Sequence, residues 1–350
     1  MKNSSARLIA FYLPQFHPIP ENDEFWGQGF TEWTNVASAR PLYRGHEQPK
    51  IPGGLGFYDL RLSETRVAQA ELARRHGIEG FCYWHYWFAG RRVLQRPFEE
   101  VLSSGEPDFP FCLAWANESW TGIWHGVPNK VLIEQTYPGP EDHAAHFDSI
   151  LPAITDPRYI LVDGKPLILV YRPIDFPDAK AFCAQWRELA QQSGLPGLHL
   201  VGFGLPDWDP TEWGFDGSVL YGPKFSKNIF ASGRNQLRAL IGRPRIYSYR
   251  KHLSYCFPQH LASPLDYPVA LPNWDNTPRS GRRGVVFEGS TPELFRQHLR
   301  EAIDRVADRP EDHRIVFVKS WNEWAEGNFL EPDQKWGQAF LKVVYDEVST

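Results

Sequence analysis

The sequence predicts an α/β fold, a (β/α)8 TIM barrel forming one domain over residues 1–350, and three observations carry that expectation. Eight short runs of β-branched, apolar and aromatic residues recur along the chain. Helical patterns with caps and stops fall between them. Polar and aromatic residues gather just after the same end of most runs, where a barrel of this kind keeps its active site. The alternative is a doubly wound open sheet. No GxGxxG and no GxxxxGK(S/T) follows any run, which weighs against a nucleotide-binding version.

Taken in order, strands read over 8–13, 80–84, 111–115, 167–171, 198–203, 217–221, 269–273 and 314–320. Leu167-Ile168-Leu169-Val170 and Ile315-Val316-Phe317-Val318 are apolar throughout, as parallel strands buried on both faces are. A long loop, 14–62, follows the first strand. The first helix reads over 63–76, with Ser63 as N-cap and Gly77 as the stop. Weaker helical patterns cover 93–103, 141–154, 211–215 and 235–241. A stronger one over 178–193 ends at Gly194 and Pro196. The sixth strand is followed by an insertion, 222–266. Thr291-Pro292-Glu293 opens a helix over 291–307, proline being suited to the first turn, and a helix over 334–348 closes the chain.

Composition narrows the function. A chain of 350 residues, 42% hydrophobic, can bury a large core. Its net charge of −5 gives no global reason to coat nucleic acid. No apolar run approaches a membrane span of about 18 residues. The run 8–13 is short, is stopped by Pro14, and has no small-residue cleavage pattern after it, so it does not read as an export signal. Cys82, Cys112, Cys183 and Cys256 form no CxxC pair and no zinc spacing, and read as small buried hydrophobes in a reducing cytoplasm. His143 and His146 share a helical spacing, but no partner completes a metal site. No metal and no cofactor are expected. There is no GxSxG elbow.

The aromatic residues, 15% of the chain, carry the first functional signal. Many are interleaved with polar groups, as in Tyr83-Trp84-His85-Tyr86-Trp87, Trp115-Ala116-Asn117-Glu118 and Trp321-Asn322-Glu323-Trp324. An aromatic face can cover the C–H face of a sugar while nearby amides and carboxylates bond its hydroxyls. The residues after the strands are Gln15 and His17; His85, Tyr86 and Trp87; Asn117 and Glu118; Arg172; Tyr221; Trp274 and Asp275; and Asn322, Glu323 and Glu326. Tyr12, Glu32, Trp33, Trp115 and Trp321 share the same character and join them as candidate substrate contacts.

The last strand is the sharpest feature. Ser320-Trp321-Asn322-Glu323-Trp324-Ala325-Glu326-Gly327 sets two carboxylates three residues apart as the chain leaves a buried run. Glycoside cleavage needs two such groups, one to protonate the departing oxygen and one to act from the other side. Surrounding tryptophans would desolvate a glutamate and raise its pKa, as a general acid requires. The bland reading is that Glu323 and Glu326 bond loop amides or arginines.

One charge feature is separate. From Gly217 to Leu265 there is no Asp or Glu, while Lys224, Lys227, Arg234, Arg238, Arg243, Arg245, Arg250 and Lys251 fall in the same span. It reads either as a solvated basic face or as a patch beside the cleft. The patch would suit an anionic partner such as a diphosphate-linked lipid, a nucleotide-linked sugar or an acidic glycan.

Five segments carry a resemblance: 10–17 (AFYLPQFH), 26–36 (WGQGFTEWTNV), 80–88 (GFCYWHYWF), 115–118 (WANE) and 320–327 (SWNEWAEG). They resemble the WbsX-like family, glycoside hydrolase family 99-like proteins of bacterial polysaccharide and O-antigen clusters. The resemblance implies a TIM barrel related to endo-acting α-mannosidases. It also implies that Glu323 takes a proton from the sugar 2-hydroxyl, giving a 1,2-anhydro sugar, while Glu326 serves as acid and then base. Read so, the protein is a retaining glycoside hydrolase whose substrate is an oligosaccharide or polysaccharide. A glycosyltransferase or transglycosylase using the same pocket and a non-catalytic carbohydrate-binding barrel are the alternatives.

Overall fold

The computed structural model describes residues 6–122, 131–204, 208–220, 233–257 and 263–349. Eight parallel strands close into a barrel: β1 (Arg7–Tyr12), β2 (Gly80–Phe88), β3 (Phe111–Trp115), β4 (Lys165–Val170), β5 (His199–Phe203), β6 (Gly217–Leu220), β7 (Asp266–Ala270) and β8 (Ile315–Val318). Each pairs with its neighbour in sequence. The ring closes where Ile9 lies opposite Phe317 on one side and Gly80 on the other. That closure excludes the doubly wound sheet. The strands are apolar because they are covered on both faces, by the barrel interior and by the helices.

Inside the barrel, aromatic side chains from several strands form a layer. Phe11 of β1 stacks on Trp84 of β2 at 5.1 Å and on Phe317 of β8 at 5.3 Å, and Phe203 of β5 meets both Phe11 and Trp84. This layer is the floor on which the cavity described below rests.

The long first loop contains two short helices absent from the sequence reading, α1 (Pro20–Trp26) and α2 (Glu32–Ser38). Helices α3 (Ser63–Arg75), α4 (Arg96–Ser104), α5 (Pro140–Ile154) and α6 (Ala179–Gln192) follow β1 to β4 in turn. After β5 the described residues before β6 contain a 3-10 turn, Pro210–Trp213. The insertion carries α7 (Gly233–Leu240), a strand Arg245–Ser248 and α8 (Tyr249–Cys256). Beyond β7 come α9 (Thr277–Ser280) and a strand Val285–Glu288, which pairs in parallel with Arg245–Ser248 to make a ribbon over the barrel. Helices α10 (Pro292–Asp304) and α11 (Ala339–Val348) pack together, clamped where Arg296 and Arg300 meet Glu347.

Several boundaries differ from the sequence reading. β7 starts at Asp266 rather than 269, because the run includes Pro268, a residue that argues against a strand interior. Ser63 is the first residue of α3, and Leu62 holds the cap position without a side-chain bond. Residues 334–338 form a turn bridged by Asp333 and Gly337, so the last helix is shorter than its pattern.

Candidate active site

The chain leaves β8 into a tight hairpin. Asn322-Glu323 pairs antiparallel with Asn328-Phe329, and a single 3-10 turn, Trp324–Glu326, joins them. Asn322 clamps this hairpin to the end of β1: its Oδ1 accepts from the Leu13 N–H at 2.8 Å and its Nδ2 donates to the Leu13 carbonyl at 3.0 Å. Gly327 closes the turn at φ +68, and a Cβ there would lie 2.8 Å from the Asp275 nitrogen. Only glycine suits both the torsion and the contact. The Asp275 N–H donates to the Glu326 carbonyl at 2.7 Å.

The hairpin aims Glu323 and Glu326 into a cavity of about 620 Å³ at the C-terminal end of the barrel. Both carboxyls are nearly covered, 3% and 4% exposed. Glu323 accepts from Trp84 Nε1 at 2.9 Å through Oε1 and from Lys319 Nζ at 3.0 Å through Oε2. Glu326 accepts from Arg279 Nη1 at 2.7 Å and from Asn328 Nδ2 at 3.2 Å, with Lys319 Nζ at 3.6 Å. Arg279 also donates from Nε to Glu32 at 2.7 Å. The glutamates thus face the cavity and are ion-paired at the same time.

Three acids and two cations leave one negative charge in excess, which a single proton cancels. The environment chooses its holder. Burial raises the Glu326 carboxyl to about 7, with the Glu323 charge adding to the rise and Lys319 and Arg279 pulling it back. Burial opposes charge on Glu323 as well, but Lys319, a hydrogen bond from Glu326 and Arg279 outweigh it and hold this carboxyl well below the usual range. At neutral pH one glutamate can donate a proton and its neighbour can accept one.

The cavity walls are mixed as a sugar site would be. Trp26, Trp84, Tyr86, Trp120, Tyr171 and Trp274 supply aromatic surface, while Gln15, Asn22, Glu32, Glu118 and Asn276 supply polar groups. Burial raises the Glu118 carboxyl, with Arg172 opposing.

Comparison with known proteins places this chain in a family. The family described as "Glycosyltransferase WbsX" matches residues 8–344. The chain belongs to this family. It is 39% identical over 340 residues to the uncharacterized protein WxcX of Xanthomonas campestris pv. campestris (strain B100), covering 96% of this chain and 48% of WxcX. It therefore spans about half the length of the curated relatives it matches. Among solved structures, a "Glycoside hydrolase-like protein" aligns with a TM-score of 0.61 at 14% identity, over 99% of this chain and 95% of that one. The GH99 endo-alpha-mannosidase from Bacteroides thetaiotaomicron aligns with a TM-score of 0.58 at 15% identity, over 98% and 96%. At such identities the likeness speaks for the barrel alone.

In this WbsX-family chain, Gln15, Glu32, Tyr86, Glu118, Trp274, Glu323 and Glu326 meet at the cavity. Other candidates lie behind its wall. Strand alternation sends Trp84 and Tyr86 inward and His85 and Trp87 outward to α5. There His85 Nε2 meets His146 Nε2 at 2.8 Å, Trp87 bonds Asp142, and burial lowers the His85 pKa to about 3. Trp115 packs outward on Trp186 and Phe182. Tyr12 donates to Gln69, Trp33 to the Tyr58 carbonyl, and His17 sits against the Pro14 carbonyl. Asn117 ties the backbone of Arg172 to the end of β3, and the Arg172 side chain pairs with Asp175. Trp321 is buried against Phe81, and Asn322 is the clamp already described. Asp275 faces away, held by His46, Gln48 and Thr277 beside a second cavity of about 360 Å³. Tyr221, Lys224 and Lys227 lie outside the described residues.

The sequence reading missed Lys319, Arg279, Trp84, Tyr171 and Glu331. Lys319 had a signal, being a lysine at the end of a fully buried apolar strand, where a cation needs acidic partners. Glu331 had none. It is buried beneath the hairpin and accepts from Tyr58, Gln69 and Trp324. Burial raises its carboxyl to about 7.

Proposed function

We propose that this chain is a retaining glycoside hydrolase that acts on a bacterial surface polysaccharide or its intermediates. The observation that carries the reading is a pair of buried carboxyls facing one aromatic cavity, Glu323 held by Trp84 and Lys319 and Glu326 by Arg279, in surroundings that push their proton affinities in opposite directions. Glu323 takes the proton of the sugar 2-hydroxyl, and that oxygen attacks the anomeric carbon. The bond to the leaving oxygen breaks as Glu326 gives up its proton, so a 1,2-anhydro sugar and a free alcohol form. Glu326, now a carboxylate, then takes a proton from water. The water oxygen attacks the anomeric carbon, the three-membered ring opens, and Glu323 returns the proton to the 2-oxygen. Two inversions give retention. No enzyme carboxylate bonds carbon, so the usual separation of roughly 5–5.5 Å for a nucleophile pair does not constrain Glu323. Endo action belongs to the same proposal and follows from the motif resemblance, since the barrel likeness speaks for the fold alone.

A second reading has a specific support, the family's description as a glycosyltransferase. In it an acceptor hydroxyl replaces water, or a nucleotide-linked donor supplies the sugar near Arg243 and Arg245. Cell-derived surface glycans should separate the two. We expect reducing-end products with retained configuration by NMR, lost in Glu326→Gln while glycan binding persists. Calorimetric binding of UDP or GDP that Arg245→Ala weakens, without any glycan cleavage, would reverse the choice.

A further inference from the structure

Helix α7 sits on the protein by its polar side. Asn235 is buried, and its side chain bonds both backbone groups of Ile246, donating at 2.8 Å and accepting at 3.0 Å. Arg238 donates to the Pro244 carbonyl at 2.8 Å and lies over the Tyr43 ring. At about 100° per residue, Leu237, Leu240 and the following Ile241 fall on the side opposite Asn235. They are 58%, 83% and 55% exposed. A surface helix ordinarily turns such a stripe toward the core. This one turns it out.

The ground around the stripe is basic. No acid occurs from Gly217 to Leu265, nor from Asn276 to Phe287. The ribbon strands Arg245–Ser248 and Val285–Glu288 arise from these stretches, with Glu288 alone acidic at the far end, and Arg245 lies opposite Val285. Because the strands are parallel, Arg243 and Arg283 both lead into the ribbon at the same end. Arg243, Arg282 and Arg283 are exposed, while Arg245 and Val285 line the cavity. The patch runs against the charge of the whole chain, which is −5.

We propose that the outward face of α7 and the basic end of the ribbon form a docking surface for an anionic lipid bilayer. Leu237, Leu240 and Ile241 enter the boundary between headgroups and acyl chains, and the arginines pair with lipid phosphates. An apolar stripe flanked by exposed arginines, with Glu288, bonded to Tyr43 beneath Arg238, as an acid at its inner edge, has the chemistry of an interfacial helix. A nucleic acid would leave Leu240 without a partner. Docking there sets the cavity beside the membrane. Combined with the hydrolase reading, on which this step rests, it makes the substrate a glycan presented from the bilayer on a lipid anchor.

The test uses the full chain and vesicles of phosphatidylcholine with about one-third phosphatidylglycerol, read by flotation at moderate salt. The protein should float with these vesicles and not with pure phosphatidylcholine. Leu240→Ser/Ile241→Ser and Arg243→Glu/Arg283→Glu should each lower the bound fraction about ten-fold. Leu161→Ser, an exposed leucine beside the start of β4, should leave it unchanged. Absence of flotation, or flotation that neither double variant lowers, overturns the proposal. So does a dimer in light scattering that Leu240→Ser/Ile241→Ser converts to monomer without any vesicle binding. No substrate enters this experiment, so its failure leaves the hydrolase reading to stand or fall on Glu326→Gln.

Discussion

Replacing Lys319 by methionine removes a buried cation and leaves the shape of the site nearly intact. Lys319 Nζ lies 3.0 Å from Glu323 and 3.6 Å from Glu326. At an effective dielectric of about 20, a charge pair 3 Å apart is worth roughly 5 kcal/mol, equivalent to about four pKa units. Arg279 and the Trp84 N–H remain, so the Glu323 carboxyl should rise by about three to four units, which carries it past the unfolded value. The sign of the stability change follows. In the wild type the Glu323 pKa is depressed on folding. Its contribution is present above the unfolded value of about 4.3 and is lost only as pH falls through the folded value. In Lys319→Met the folded pKa lies above the unfolded one. The contribution is then full below about pH 4.3 and is lost as pH rises through the new folded value. The stability gap between the two proteins should therefore open as pH rises from the wild-type folded value of about 2 and level off above the new folded value. At about pH 8 it should reach roughly 3–5 kcal/mol, the cost of breaking a buried pair. Urea unfolding followed by tryptophan fluorescence across that range measures it. A gap of the same size at both ends would refute the charge account and leave only lost packing.

Three further perturbations bear on the same hairpin. Glu326→Gln should lower kcat about 10²- to 10⁴-fold on a natural glycoside and remove the alkaline limb of the pH–rate profile, with a smaller loss on an aryl glycoside whose leaving group needs no proton. Gly327→Ala should cost about 1–2 kcal/mol in thermal unfolding and lower kcat with little change in KM, because the new Cβ displaces Asp275 and with it the Glu326 carbonyl. Glu331→Ala should cost about 3 kcal/mol or more in chemical denaturation, since the Tyr58, Gln69 and Trp324 donors lose their acceptor; an unchanged midpoint would show that water replaces it.

Much of this architecture is readable from the chain because a parallel strand covered on both faces has to be apolar throughout. That is why Leu167-Ile168-Leu169-Val170 and Ile315-Val316-Phe317-Val318 stand out, and why β7, interrupted by Pro268, is displaced in the reading. Glu323 and Glu326 are legible because two acids rarely follow such a strand amid tryptophans. Arg279 is not. It stands in the four-residue helix α9, close in sequence to Arg282 and Arg283, and nothing local marks it; only closure of the barrel brings it to Glu326 and Glu32. Selecting the polar and aromatic residues after each strand also ignores alternation. A period of two along β2 would have separated Trp84 and Tyr86, at the cavity, from His85 and Trp87, at α5.

The hairpin is held from outside by neutral groups and tuned from inside by charged ones, and the division has an energetic reason. Buried ion pairs gain little net stability, because desolvation offsets their attraction. Lys319 and Arg279 therefore cannot be what keeps Glu323 and Glu326 in place. That task falls to bonds between uncharged partners: Asn322 on both backbone groups of Leu13, and the Asp275 N–H on the Glu326 carbonyl. Trp324 adds a donor to Glu331 and a stacked face on Phe329. Such contacts fix geometry without setting a protonation state, and the cations set protonation without having to fix geometry. Substitutions should therefore sort by side. Asn322→Ala should lower stability and kcat together while leaving the midpoints of the pH–rate profile in place. Lys319→Met should move those midpoints. A double-mutant cycle between them should be close to additive in stability, even though both residues flank Glu323. Strong coupling would mean that the ion pairs themselves position the hairpin.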